Sequence, residues 1–209
     1  MLKNVNRIIC AVLVIVLSTC SLAACGDLEE STVVPSSTAG EENTVVESGV
    51  ADEETMSVLD YFVVMQDNET MPFTLTEKAK VMLEEKEAWF LVNQNEGLDD
   101  CTDFALEYKV LNKNIDKHGD KLVYLEEAYV LSIDETQIDE QTTFSELHLL
   151  DADGNSYYVI SLVAYDDIYE DDVVSVYALP IGETAFDNVS GGTTLAIMCA
   201  GCYVEKLEY

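Results

Sequence analysis

After Tyr108 the chain breaks into five short β-rich segments, and this run constrains the fold more than any other feature of the sequence. The segments are "KLVYLEEAYVLSI" (121–133), "TTFSELHLLD" (142–151), "SYYVISLVAY" (156–165), "DVVSVYALP" (172–180) and "TTLAIMCAGCYVEKL" (193–207), separated by Asp, Gly, Asn and Ser. Such spacing marks strands joined by turns, and five of them predict a small β-barrel. Ahead of it, "TLTEKAKVMLEEKEAWFLVNQNEG" (74–97) carries a Thr-x-x-Glu capping box at Thr74 and Glu77. Ala79, Met82, Leu83, Trp89 and Phe90 follow at helical spacing, and Gly97 is the stop. The segment 57–65 reads equally as strand or helix, and 99–108 as a short second helix. The expected architecture is mainly β with an N-terminal helix: a helical segment over 57–107 packed on a five-stranded barrel over 108–209.

If Asp153-Gly154 is a two-residue hairpin turn, Leu149 lies opposite Tyr158, Leu147 opposite Ile160 and Ser145 opposite Leu162, with these residues facing inward. The outer face then carries Phe144, Glu146, His148 and Leu150 against Tyr157, Val159, Ser161 and Val163. Such a face is too apolar for plain solvent surface. Either the helix around Trp89 covers it, or Phe144, Glu146, His148 and Tyr157 form a ligand face.

The spans "YKVLNKNIDKHGDKLVYLEEAYVLSIDE" (108–135), "DADGNSYYVISL" (151–162) and "YEDDVVSVYALPIG" (169–182) resemble the OB-fold domains of extracytoplasmic Gram-positive lipoproteins related to the tRNA-anticodon-binding-like group. The resemblance covers about half the chain and implies an OB-like barrel. Nucleic-acid-binding relatives present basic and aromatic side chains on strands two and three, whereas Phe144 and Tyr157 are accompanied only by Glu146 and His148. The resemblance therefore extends to the fold and not to that ligand class.

Lys3 and Arg7 precede a ten-residue apolar run, "IICAVLVIVL" (8–17), followed by "LAAC" (22–25). This is the order of a secretory signal peptide, and the run is shorter than the ~20 residues that span a bilayer. The tetrapeptide resembles a lipobox, which implies cleavage after residue 24 and a diacylglycerol on Cys25, the expected lipidation site. The alternative is an ordinary secretory signal in which Cys25 is incidental. Two acyl chains on one residue are enough for stable attachment, so the expected location is the extracytoplasmic face of the membrane. Residues 25–56, rich in Ser, Thr, Glu and Gly and without an aromatic residue, bury too little apolar surface to fold and read as an acidic tether.

Beyond residue 24 the chain carries eight lysines, no arginine and 41 acidic residues, a net charge of −33. Phosphate backbones are bound mainly through Lys and Arg, so nucleic acid is not an expected partner. Cys199 and Cys202 have CxxC spacing but lie in a strand, where residues three apart point to opposite faces, and no second pair completes a four-cysteine zinc site. They are either buried thiols or, outside the cytoplasm, one of them pairs with Cys101. "DADGNS" (151–156) opens like a calcium loop but has Ser156 at the sixth position and Leu162 at the twelfth, which favours a turn. Asp166, Asp167, Glu170, Asp171 and Asp172 are weak calcium candidates in a loop otherwise read as solvated acid. His118 and His148 have no nucleophile motif nearby, and phosphate loops, HExxH and GxSxG are absent from the sequence.

The expected function is a membrane-anchored, non-enzymatic binding module for a protein, peptide or glycan of the envelope, with no cofactor beyond the lipid. The alternatives are a carboxylate-based glycan hydrolase or a calcium-dependent adhesion or sensing module. Cys25→Ala is expected to abolish incorporation of labelled fatty acid and to leave the precursor uncleaved. Labelling that persists in the variant would remove the lipid anchor from this account.

Overall fold

A computed structural model describes residues 56–208 except 68, 70, 140–141 and 188–190. The expected leader, Cys25 and most of the tether lie outside the described residues. Helix α1 (Val58–Met65) begins at Ser57, whose hydroxyl accepts from the Asp60 N–H; the ambiguous segment is a helix. Helix α2 (Glu77–Glu85) is capped by Thr76, which accepts from the Ala79 N–H. The expected cap at Thr74 is thus two residues early. Thr74 belongs instead to an extended run laid against the sheet. The helix also ends earlier than its apolar spacing suggests, giving way to a 3-10 turn at Glu87–Phe90. Residues 99–108 hold one 3-10 turn, Asp99–Cys101, and then α3 (Tyr108–Leu111) starts.

Five strands follow: β1 (Val123–Gln137), β2 (Thr143–Leu150), β3 (Ser156–Ser161), β4 (Val173–Asp187) and β5 (Thr193–Lys206). They close in the order β1-β2-β3-β5-β4, with β3 and β5 parallel and the other pairs antiparallel. Closure leaves few free edges. The two 15-residue strands, β1 and β4, make it possible because they bend at bulges, between Leu125 and Ala128 and between Val130 and Ser132 in β1, and around Pro180–Gly182 in β4. A proline reads as a strand end, but a bulge tolerates one, so β4 continues seven residues past Pro180 to Asp187.

Two apolar clusters hold the fold. The first fills the barrel, with Val130, Leu147, Leu149, Tyr157, Val159 and Val176 among its members, and is closed at one end by Leu106, Leu111 and Ile115. The second lies outside it. Ile160, Leu179, Ile181, Met198 and Ala200 on the outer face of β3, β4 and β5, with Leu162 just past the end of β3, meet Val58, Phe62, Leu75, Leu83, Phe90 and Leu98 from the N-terminal segment.

Backbone contacts fix this segment in place. The Thr76 N–H donates to the Ile181 carbonyl at 3.0 Å, and the Thr184 hydroxyl to the Pro72 carbonyl at 3.0 Å. Beyond the end of β3, the Val204 backbone of β5 would be an open edge. The Asn93 side chain supplies both partners, donating to the Val204 carbonyl at 2.9 Å and accepting from its N–H at 2.8 Å.

The approach is close enough to require a glycine at 182, where an added Cβ would stand 2.7 Å from the Thr74 carbonyl oxygen. Gly182→Ala is expected to cost about 1–3 kcal/mol in urea unfolding. Unchanged stability would show that this seam is loosely packed.

Candidate functional site

The β2–β3 connection decides which side chains face out. Asp151 and Asn155 close a loop in which the Asp151 carboxylate accepts from the N–H groups of Asp153 and Asn155 at 3.0 and 2.8 Å, and Gly154 takes a φ of +79°. The loop is wider than a two-residue turn, and the register is one residue off the expected one. Leu149 pairs with Tyr157, His148 with Tyr158, Leu147 with Val159 and Ser145 with Ser161. A slip of one residue exchanges the faces of a strand.

Tyr157 is therefore corrected from ligand-face residue to core: it is 1% exposed inside the barrel, edge-on to Tyr108 with ring centroids 5.7 Å apart. Its neighbour Tyr158 takes the outer position. Phe144 also lies on the outer face, and both it and Tyr158 are half-buried against the cluster formed with the N-terminal segment.

What the fold brings together on this face is Glu146, His148, Tyr158 and, from the far end of β4, Phe186. The Tyr158 hydroxyl donates to Glu146 Oε1 at 3.2 Å, and His148 Nε2 lies 2.6 Å from the Ser156 hydroxyl. The His148 ring sits edge-on to Phe186 at 5.3 Å and 6.1 Å from the Tyr158 ring. Burial raises the Glu146 carboxyl above its ordinary 4.5, opposed by the hydrogen bond from Tyr158 and reinforced by Asp134, its cross-strand partner. Burial also lowers His148 below its ordinary 6.5. The patch thus offers the rings of Tyr158 and Phe186, the imidazole of His148, the hydroxyls of Tyr158 and Ser156, and the carboxyl group of Glu146. Phe186 lies beyond Pro180, where the sequence signals a strand end, and its alternation with Thr184 is the trace that could have found it.

The other candidates lie elsewhere. Cys101, Cys199 and Cys202 are free thiols, so no disulfide joins them. Cys199 belongs to the barrel interior, while Cys202 packs in the outer cluster that Cys101 also touches. Burial pushes both strand thiols up, the opposite of an activated cysteine.

In the acidic loop, Asp172 pairs with Lys206 at 2.8 Å and accepts from the Tyr169 N–H, and Asp171 accepts from the Tyr129 hydroxyl. Asp166, Asp167 and Glu170 do not converge with them, and among the described residues no three His, Cys, Asp or Glu side chains are grouped to hold a metal. His118 is half-buried behind the 3-10 turn Ile115–Lys117. An open cleft of about 460 Å³ runs between residues 72–76, Ile115, Asp116 and Glu183.

No family model, no curated protein and no solved structure matches this chain.

Because the neutral imidazole is the buried form, the stability His148 contributes is intact above its ordinary 6.5 and is lost as pH falls through its lower folded-state midpoint. In an NMR titration the His148 ring protons are expected to titrate below 6.5. A midpoint at or above that value would contradict the burial of the ring.

Proposed function

We propose that the chain is a lipid-anchored extracytoplasmic lipoprotein of a Gram-positive envelope, whose OB-like barrel is a non-enzymatic binding module. The strand order, with β3 parallel to β5, supports the OB-like reading, and strands two and three are the usual binding face of such barrels. The observation that carries the reading is the patch of His148, Tyr158 and Phe186 beside Glu146 and Ser156 on that face. Aromatic rings suit the apolar faces of sugar rings, while the imidazole, hydroxyl and carboxyl groups suit their hydroxyl groups. A glycan of the envelope is the ligand class we assign to it.

The hydrolase alternative draws less support. The carboxylates of the open cleft, Asp116 and Glu183, are both exposed, whereas a glycosidic general acid depends on a desolvated carboxyl with a raised pKa. Glu146 has that property but is not among the residues lining the cleft.

The test is co-sedimentation with isolated cell-wall sacculi. The wild-type protein is expected to pellet with them, and Phe186→Ser and Tyr158→Ser to stay largely in solution while keeping their circular dichroism. Failure of the wild type to pellet, or unchanged pelleting of both variants, would overturn the assignment.

A further inference from the structure

A second surface, on β1, β4 and β5, has no part in the patch just described. Tyr124 and Tyr177 are cross-strand partners with rings 4.6 Å apart, and Tyr177 pairs with Tyr203, their rings 6.4 Å apart. Phe104, in the loop after the 3-10 turn Asp99–Cys101, extends the row edge-on to Tyr124 at 5.7 Å and is 62% exposed. Four rings thus form a continuous strip across the sheet, its three tyrosines half-buried, with Tyr177 and Tyr203 resting on the edge of the outer cluster and Phe104 standing free.

Carboxylates border it. The Tyr177 hydroxyl donates to Asp99 Oδ1 at 2.8 Å, and Tyr203 feels the charges of Glu205 and Glu96. All three acids are exposed. Ion pairs among the described residues include Lys78–Asp120, Lys80–Glu77, Lys109–Glu107 and Lys206–Asp172. Lysines also sit over the rings of Trp89 and Tyr169. None of these cations touches the strip, although the fold places a lysine over an aromatic ring twice elsewhere.

Ring faces attract cations through their quadrupole, and Arg stacks on them with its planar guanidinium while forking to a carboxylate. Beyond residue 24 this chain has no arginine and a net charge of −33, so complementary charge must come from elsewhere. We propose that the strip Phe104–Tyr124–Tyr177–Tyr203, with Asp99, Glu96 and Glu205, docks an arginine- and lysine-rich segment of a partner protein. The long-range field of the chain draws the segment in. The rings and their bordering acids then select where it sits.

The test uses the full-length protein in detergent and a fluorescein-labelled hexa-arginine peptide, followed by fluorescence anisotropy. Tyr124→Ser and Tyr203→Ser leave net charge unchanged, and each is expected to weaken binding about fivefold. Phe104→Ser, at an exposed position, is expected to do the same and serves if a tyrosine variant fails to fold. Asp99→Asn with Glu205→Gln is expected to weaken binding more than the equally neutralising Glu84→Gln with Glu85→Gln on α2. Three results would overturn the proposal: ring variants that bind as the wild type does, equal losses in the two acid pairs, or a neutral oligosaccharide binding the strip where the peptide does not.

Discussion

The outer face of β3, β4 and β5 is as apolar as the interior of the barrel, and the rest of the structure follows from the need to cover it. A barrel of this size buries one side of each strand by closing on itself. Here Ile160, Leu179, Ile181, Met198 and Ala200 point the other way and would face water on a barrel standing alone. The N-terminal segment supplies the missing layer with Phe62, Leu83, Phe90 and their neighbours. For large side chains such as these, full burial is worth about 1.5–3 kcal/mol each. The segment is therefore part of the core, and the barrel without it would expose a patch of the kind that drives aggregation.

Covering that face also decides which side chains are left at its margins. The helices take the outer surface of β3, β4 and β5 and reach Phe144, which leaves the half-buried group around His148 and Phe186 at one margin and the tyrosine strip at the other. The two surfaces differ in chemistry. One has a neutral imidazole and a hydroxyl among its rings; the other is bordered by exposed carboxylates.

Most of the strand content was legible because alternation and turn residues are local signals. The register was not. Both faces of β2 and β3 are apolar, so a one-residue slip still brings apolar residues together, and the pattern could not distinguish Tyr157 from Tyr158 as the inward residue. The deciding group is the Asp151 carboxylate, whose bonds to the N–H groups of Asp153 and Asn155 widen the loop. A second long-range effect hid Phe186: the bulge at Pro180–Gly182 is shaped by the docking of residues 72–76, so the continuation of β4 cannot be seen from β4 alone. The tyrosine strip was missed for a related reason, since Tyr124, Tyr177 and Tyr203 meet only when three strands are aligned.

The central claim is that the N-terminal segment and the barrel form one cooperative unit, and native-state hydrogen exchange tests it most directly. Amides of α2, residues 77–85, and of β5, residues 196–204, should exchange with the same free energy and the same dependence on denaturant, because both open only when the shared core does. Helix amides that exchange through a separate, low-energy opening while β5 stays protected would contradict the account and leave the outer face of β3, β4 and β5 available to another partner.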